Sequence, residues 1–186
     1  MTRIIAGRAK GRRLAAPRGS ATRPTASRVK QTLFDILAPC LPGCRFLDLC
    51  AGSGAAGLEA LSRGAAEVVL VERDARVAAL VRVNAAALSA GAGRVEVRRS
   101  DCLRALRDLA GEGRRFDLVF LDPPYDSELY EEALEALGAL DLLEASGQAV
   151  AEHFHKRPLP ETIGALVHHR SVRVGDHRLS FYRRAR

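Results

Sequence analysis

Residues 116–125 read Phe-Asp-Leu-Val-Phe-Leu-Asp-Pro-Pro-Tyr, an apolar run that ends in an acidic turn with two prolines. The apolar half predicts a buried strand of a parallel sheet. Neither proline has an N–H to donate, so the sheet ladder should stop at Asp122. The Asp122 carboxylate is then left at the carboxyl end of the strand, the edge at which open α/β sheets bind ligands.

The chemistry of this turn suits a planar base that carries an exocyclic amino group. Asp122 and a neighbouring backbone carbonyl can accept the two N–H bonds, while Tyr125 presents a flat ring for stacking. The same residues are also compatible with nothing more than a rigid turn after a core strand, because a short motif is only a hypothesis. The sequence upstream has to decide between the two.

A regular alternation of strands and helices surrounds the turn. The predicted strands cover 45–50, 67–72, 95–99, 116–122 and 148–154, with a closing pair at about 165–174 and 178–183, and the predicted helices cover 55–63, 75–89, 103–109 and 128–137. Such alternation predicts an α/β fold with a parallel sheet and helices on both faces.

The N-terminal part follows another pattern. Two β-prone ends around Gly7 and Gly11 predict a short β-hairpin over 3–14, and Thr25 or Ser27 can cap a helix that runs to about Leu37. We therefore divide the chain into a basic extension, residues 1–40, and a catalytic domain, residues 41–186.

A glycine-rich turn joins the first predicted strand to the first helix of the catalytic domain. It runs from Asp48 through Ala51, Gly52, Ser53 and Gly54 to Gly57. Glycines at such a turn let the backbone approach a ligand and let the helix pack closely on the strand. NAD and FAD sites use the same device, so a dehydrogenase stays open at this point.

Acidic residues at four predicted strand ends narrow the choice of cofactor. Glu72 suits the two hydroxyls of a ribose, Asp101 can accept a hydrogen bond from an adenine amino group, and Asp48 and Asp122 are the other two. Four acids disfavour a pyrophosphate and suit a cationic cofactor such as S-adenosylmethionine, which has a sulfonium, a ribose and an adenine but no phosphate. The alternative interpretation makes Glu72 and Asp101 helix caps.

The distribution of charge predicts a polyanionic partner. Residues 1–30 contain nine basic residues and no acid, whereas residues 31–155 contain 12 basic and 20 acidic residues, and residues 156–186 contain eight basic and two acidic ones. A basic arm beside a small-molecule site fits nucleic acid, whose phosphates dominate its affinity for proteins. A solvated tail is the competing interpretation.

Several classes of protein are disfavoured by the totals. A length of 186 residues with 47% apolar residues suits one ordinary domain, and neither a long apolar run nor a signal-peptide pattern is present, so we expect a cytoplasmic protein without a membrane span. We expect a monomer. The cysteines fit no zinc spacing and should be reduced thiols, and His153-x-His155 has no accompanying ligand, so we expect no metal site: the four thiols are Cys40, Cys44, Cys50 and Cys102.

Together these motifs resemble a known family. Asp48-x-x-Ala-Gly-Ser-Gly-x-x-Gly, Glu72 and Asp122-Pro-Pro-Tyr resemble the class I seven-stranded, S-adenosylmethionine-dependent amino-methyltransferases. Arg3-Ile-Ile-Ala-Gly, Gly11-Arg-Arg-Leu and Arg23-Pro-Thr-x-x-Arg-Val-Lys-x-Thr-Leu-Phe are similar to the RsmD family, and the resemblance covers essentially the whole chain. Cys50 stands where the family has an aromatic residue, and Ala56 where it has a larger apolar one.

The resemblance implies a Rossmann-like seven-stranded sheet whose last strand is antiparallel, and a reaction. These enzymes transfer a methyl group from S-adenosylmethionine to N2 of a guanine in 16S ribosomal RNA, and we expect the small ribosomal subunit, partly or fully assembled, to present that base. Adenine N6 of RNA or DNA is the alternative target, and a non-catalytic nucleic-acid-binding module is the alternative from another class.

The resemblance also assigns residues. The catalytic set is Asp122, the Pro123 carbonyl and Tyr125. In the cofactor set, Gly52, Ser53 and Gly54 lie by the methionine part and Glu72 lies by the ribose. Asp101 and Cys102 lie by the adenine, and Arg23 and Thr25 close over the cofactor and the base. The set also includes Asp48, Ala51, Gly57 and Arg73. The RNA-binding set comprises Arg3, Arg8, Lys10, Arg12, Arg13 and Arg28.

Overall fold

The computed structural model describes residues 2–16, 24–88, 93–123 and 128–185, with side chains for all of these except 24–26. Numbered in chain order, the helices are α1 (Pro24–Leu37), α2 (Ala55–Ser62), α3 (Ala75–Leu88), α4 (Cys102–Gly111) and α5 (Leu129–Ala139), with a 3₁₀ turn at Ala38–Cys40. The strands are β1 (Arg45–Asp48), β2 (Glu67–Glu72), β3 (Arg94–Arg99), β4 (Phe116–Leu121), β5 (Leu143–Phe154), β6 (Thr162–Ile163), β7 (Leu166–Val174) and β8 (His177–Arg184).

The strands form one sheet in the order β3-β2-β1-β4-β5-β8-β7-β6. Strands β1 to β5 are parallel, whereas β8 runs antiparallel to β5 and β7 antiparallel to β8. The chain order reverses between β1 and β4, and this switch point opens a crevice at the carboxyl edge of the sheet. The α/β prediction is confirmed.

The predicted number of strands is wrong by one. The structure adds β6, a two-residue strand that pairs with the start of β7. Strand β5 also begins at Leu143 rather than at 148, because a register shift against β4 between Phe116 and Leu118 breaks the alternating pattern of its first half. The other predicted bounds agree with the structure to within two residues, except at the start of α1. That helix begins at Pro24, before both predicted caps, Thr25 and Ser27, because the fixed φ of a proline suits the first position of a helix.

Alternate residues of the central strands pack on opposite sides of the sheet. Phe46, Leu118, Phe120 and Val150 belong to the core cluster that also contains the buried residues of α1 and α2. Their chain neighbours, such as Leu47, Val119, Leu121 and Ala151, belong to the cluster formed with α4 and α5. Asp48, Asp122 and Glu152 each come two residues after a member of the first cluster. They therefore lie on the same side of the sheet as α1.

The N-terminal arm, residues 2–16, turns back on itself as the short hairpin that we predicted. Arg3 and Arg13 form an antiparallel bridge, and the N–H groups of Ile4 and Leu14 donate to carbonyl groups across the turn. Ile4 and Leu14 are buried in the same core cluster as α1 and α2. The division of the chain at residue 40 stays a prediction, and the two parts share one hydrophobic core. No helix in the described ranges is long and apolar enough to cross a membrane.

Candidate active site

A cavity of about 670 Å³ opens at the carboxyl edge of β1, β4 and β5, beneath the N-terminal arm. Its strand side is lined by Asp48, Phe120, Asp122 and Glu152, and the glycine turn adds Cys50, Ala51, Gly52 and Ser53. The arm and α1 cover the other side with Arg3, Ile5, Lys10, Ser27 and Lys30. The cavity thus joins two groups of residues that the sequence predicted separately, the glycine turn and the end of β4.

The glycine turn has a backbone that other residues would adopt only with strain. Gly52 and Gly54 have φ values of 52° and 79°, and Gly54 precedes the first residue of α2. At Gly57 a Cβ atom would lie 2.4 Å from the Leu70 side chain, so only glycine lets α2 pack this closely on β2. The Gly57 N–H donates to the Asp48 carboxylate at 3.0 Å, which fixes the turn to β1.

The acids at the ends of β2 and β3 lie outside the lining of the cavity. Glu72 accepts the N–H of Gly52 at 3.1 Å and that of Asp74 at 2.8 Å, so it holds the glycine turn in place. Arg73 beside it is exposed. Asp101 accepts the N–H of Arg104 at 2.9 Å, which confirms the cap interpretation for Asp101, whereas α3 is capped by Asp74 instead of Glu72.

Cys50 and Cys102 form a thiol pair behind the glycine turn, with their sulfurs 3.1 Å apart. Cys102 also donates to the Leu49 carbonyl at 2.8 Å. The contact with Cys102, together with burial, raises the pKa of the Cys50 thiol. The cysteines are free, as we predicted.

Three carboxyl groups meet at the end of the cavity, and we refer to Asp48, Asp122 and Glu152 as the carboxyl cluster. Leu121 pairs with Ala151, so Asp122 and Glu152 follow side by side on adjacent strands, while Asp48 pairs with Phe120 one step earlier. Glu152 escaped the sequence analysis because it lies inside β5 rather than at its end. Its register with Asp122 is the signal that would have identified it.

Two members of the cluster, Asp48 and Asp122, have a raised pKa. Burial raises the pKa of Asp48 to about 7. Asp122 has accessible surface, but that surface opens into the cavity, so the group is still withdrawn from bulk water. This desolvation, with the nearby carboxyls of Glu152 and Asp48, raises the pKa of Asp122 well above its ordinary value.

The carbonyl oxygen of Pro123 is within hydrogen-bond distance of a tyrosine hydroxyl on α5. The Tyr130 hydroxyl lies 3.1 Å from the Pro123 carbonyl oxygen and 2.9 Å from that of Glu152, and it can donate its single proton to one of them at a time. Arg23 and Tyr125 lie outside the described residues, and so does the side chain of Thr25. Their predicted roles stay predictions.

The N-terminal arm is fixed over the cavity by two charged residues that sequence reasoning missed. The buried carboxylate of Glu59 on α2 accepts the N–H groups of Ile5 and Ala6 at 2.7 and 2.9 Å. Lys30 on α1 donates to the Arg3 carbonyl at 2.8 Å and lies 3.5 Å from Glu59. Burial lowers the pKa of Lys30.

All six residues of the predicted RNA-binding set are exposed: Arg3, Arg8, Lys10, Arg12, Arg13 and Arg28. Arg3 and Lys10 also line the cavity. A basic surface therefore surrounds the mouth of a cavity whose inner end is acidic. Such an arrangement suits a polyanion outside and a cationic small molecule inside.

The composition of the cavity agrees with a cationic ligand. The Oδ1 atom of Asp48 is buried and has no hydrogen-bond partner of normal geometry among the described residues. A cation or a hydrogen-bond donor would satisfy it, whereas a pyrophosphate would meet three carboxyl groups.

Comparison with known proteins gives consistent matches. A family model described as conserved hypothetical protein 95 matches residues 2–183. A Bacillus subtilis (strain 168) protein, YlbH, whose name provisionally describes an rRNA methyltransferase, is 39% identical over 182 residues, or 98% of each chain. Ribosomal RNA small subunit methyltransferase D of Escherichia coli (strain K12) is 44% identical over 135 residues, 73% of this chain and 66% of that protein.

The fold has a close match among solved structures. The Escherichia coli protein yhhF, provisionally named a methyltransferase, superposes with a TM-score of 0.85 at 34% identity, covering 100% of this chain and 98% of the other.

Proposed function

The chain belongs to the RsmD family, that of conserved hypothetical protein 95, and we propose on this basis that it methylates the exocyclic N2 of a guanine in 16S ribosomal RNA. It has the Rossmann-like methyltransferase fold and is an rRNA methyltransferase of the RsmD type that uses S-adenosylmethionine. The guanine, its N2 atom and the identity of the residues that act on it are our proposal.

One observation carries the proposal. Asp122 and the fixed Pro123 carbonyl end β4 beside a cavity that the glycine turn lines on one side and the basic arm covers on the other. Two acceptors of this kind match the two N–H bonds of an exocyclic amine, and the glycine turn and the acids match a cationic nucleoside.

The cofactor would be held by the glycine turn and the carboxyl cluster. Gly52, Ser53 and Gly54 would contact its methionine part, and Asp48 would face its positive charge. Glu72 and Arg73 would lie by the ribose, and Asp101 and Cys102 by the adenine. When bound, S-adenosylmethionine supplies an electrophilic methyl group on a sulfonium.

The residues at the end of β4 would activate the amine. Its lone pair is delocalised into the ring, and N–H bonds to Asp122 and to the Pro123 carbonyl favour a more nucleophilic nitrogen. The same bonds stabilise the positive charge that develops on nitrogen during attack, and they hold it in position. Tyr125 would stack on the base, an interaction worth roughly 1–3 kcal/mol.

Asp122 is also placed to take the proton that the amine loses. Because burial and the neighbouring carboxyl groups raise its pKa, the Asp122 carboxylate is a stronger base than an ordinary aspartate. Because an opposite charge lowers the pKa of a carboxyl group, Asp122 should ionise most readily when a cation occupies the cavity. Asp122 can then begin the reaction as an acceptor of hydrogen bonds and end it with a proton.

The arm would bind the RNA around the target base. Arg3, Arg8, Lys10, Arg12, Arg13 and Arg28 offer exposed cations for backbone phosphates. The base itself must be unstacked to enter the cavity. We expect small-subunit particles, partly or fully assembled, to present it to a monomer of this enzyme.

Methyl transfer from labelled S-adenosylmethionine to small-subunit particles that lack the modification tests the proposal. We expect the label in N2-methylguanosine with the wild-type protein and with Asp108→Asn, an exposed control on α4, but not with Asp122→Asn. Label in N6-methyladenosine would replace the proposed target. Absence of label from particles, naked RNA and DNA, despite cofactor binding, would overturn the activity.

A further inference from the structure

A buried histidine faces the carboxyl cluster from the antiparallel side of the sheet. Nδ1 of His177, at the start of β8, lies 2.8 Å from Oε1 of Glu152 on β5. Both residues are at least nine-tenths buried, with relative exposures of 9% and 8%. Among the described residues, His177 is the basic side chain within ion-pair distance of Glu152. The two atoms are close, but the contact does not have the angles of an ordinary hydrogen bond.

The sheet places this pair next to the proposed catalytic acid. His177 pairs with Phe154 and Leu179 pairs with Glu152, so His177 and Glu152 are diagonal neighbours on one face of two antiparallel strands. Glu152 in turn lies beside Asp122 at the parallel side of β5, as the pairing of Leu121 with Ala151 requires. Three side chains on three consecutive strands of the sheet therefore form a row: Asp122, Glu152, His177.

We propose that Glu152 and His177 are positioning residues of the catalytic site, in which His177 holds the Glu152 carboxylate beside Asp122 and balances its charge. The kinetic part of this inference rests on the proposed function. Without an imidazolium, two carboxylates side by side in a cavity repel each other, and one of them keeps a proton. A protonated His177 would offset the negative charge beside Asp122, so that Asp122 could ionise to accept the amine.

Other charged groups face the same cavity. Asp48 lies on β1, Lys30 on α1, and Arg3 and Lys10 on the arm. Lys30 is occupied by Glu59 and the Arg3 carbonyl. None of these residues is changed in the test.

The test compares Glu152→Gln, His177→Gln and the double variant. Carbon-13 NMR titration of the Asp122 carboxyl in the cofactor-free protein, assigned by its loss in Asp122→Asn, gives a readout that needs no activity. Removing the Glu152 charge should lower the pKa of Asp122, and removing His177 should raise it, each by about one unit. The double variant should behave like Glu152→Gln, because His177 acts through Glu152.

Kinetics provide the second readout. The acid limb of the kcat profile, which requires ionised Asp122, should move to lower pH in Glu152→Gln and to higher pH in His177→Gln, a change of about tenfold in rate on that limb. Structural damage would lower kcat at every pH and in both variants alike. His169→Gln and Glu135→Gln, both exposed and distant from the cavity, should leave the profile unchanged.

The outcomes are distinct. The inference would be overturned if the pKa of Asp122 were the same in Glu152→Gln as in the wild type. It would also be overturned if the double variant showed the rise in the Asp122 pKa that is expected of His177→Gln. An altered titration with an unchanged kcat profile in an active enzyme would also overturn it. If the wild-type protein transfers no methyl group to RNA, the proposed function fails, while the titration still decides whether the pair controls Asp122.

Discussion

The carboxyl cluster and the N-terminal arm form opposite walls of one cavity, and they are built in different ways. The cluster lies at or near the carboxyl ends of three adjacent parallel strands, so the core on both faces of the sheet fixes its position. The arm has only a few backbone hydrogen bonds of its own. It is attached through the buried side chains of Ile4 and Leu14 and through hydrogen bonds to polar side chains, namely Glu59, Lys30, Ser62 and Asn84. The residues that we propose for catalysis therefore lie on the sheet, whereas most of those that we propose for RNA binding lie on a segment packed against it.

The largest effect is expected from removal of the Asp122 carboxyl group. Asp122→Ala should lower methyl transfer by at least about 10²–10³-fold, because the amine loses its charged acceptor. Affinity for S-adenosylmethionine, measured by calorimetry, should stay close to that of the wild type. A matched Asp108→Ala variant should transfer at the normal rate, and equal loss of transfer and cofactor binding in Asp122→Ala would contradict the assignment.

Removing the Glu59 contacts of the arm should lower the free energy of unfolding of the protein. Glu59→Ala leaves the N–H groups of Ile5 and Ala6 without their acceptor, and Lys30 and Arg63 without their carboxylate. Because breaking a buried ion pair is strongly destabilising, we expect a loss of about 3–5 kcal/mol in the free energy of unfolding, measured in urea. Glu135→Ala, at an exposed site on α5, serves as control, and an unchanged midpoint in Glu59→Ala would show that the arm is held by other contacts.

Charge reversal on the arm should separate the two substrates. In Arg12→Glu/Arg13→Glu we expect RNA affinity to fall about tenfold or more and the salt dependence of binding to weaken, while cofactor affinity is unchanged. Arg104→Glu/Arg107→Glu, on the exposed face of α4, has the same charge change at a distance from the cavity. Equal losses in both double variants would point to net charge rather than the arm.

The smallest expected effect is on the pH dependence of stability, through Asp48. Asp48 holds its proton more tightly in the folded protein than in the unfolded chain, so the folded state binds more protons between about pH 4 and 7. Its contribution to stability is therefore present at low pH and is lost as pH rises through about 7. Asp48→Asn keeps an acceptor for the Gly57 N–H and should flatten this decline in urea unfolding measured at pH 5 and pH 8; an unchanged slope would show that Asp48 is ionised throughout.

The sequence predicted those parts of the site that local chemistry determines. Two prolines end a strand wherever they occur, and the spacing from Asp48 to Gly57 encodes a contact within one strand–turn–helix unit. The acid Asp101 was ambiguous, since an N-cap and a ligand contact use the same residue type at the same place, and the structure shows the cap.

The residues that escaped prediction act across the sheet or between distant segments. Glu152 and His177 meet only through the antiparallel register of β5 and β8, and a buried Glu inside a helix, Glu59, gives no sign that its partners are the amides of Ile5 and Ala6. The count of strands failed for a similar reason, because β6 has two residues and no pattern of its own.

Helix α2 has only eight residues, yet both walls of the cavity are attached to it. Its first turn holds the glycine loop through the bond from Gly57 to Asp48, and two residues later Glu59 holds the arm. One short helix thus holds both the glycine turn and the arm, so a substitution that displaces α2 should alter both walls of the cavity at once.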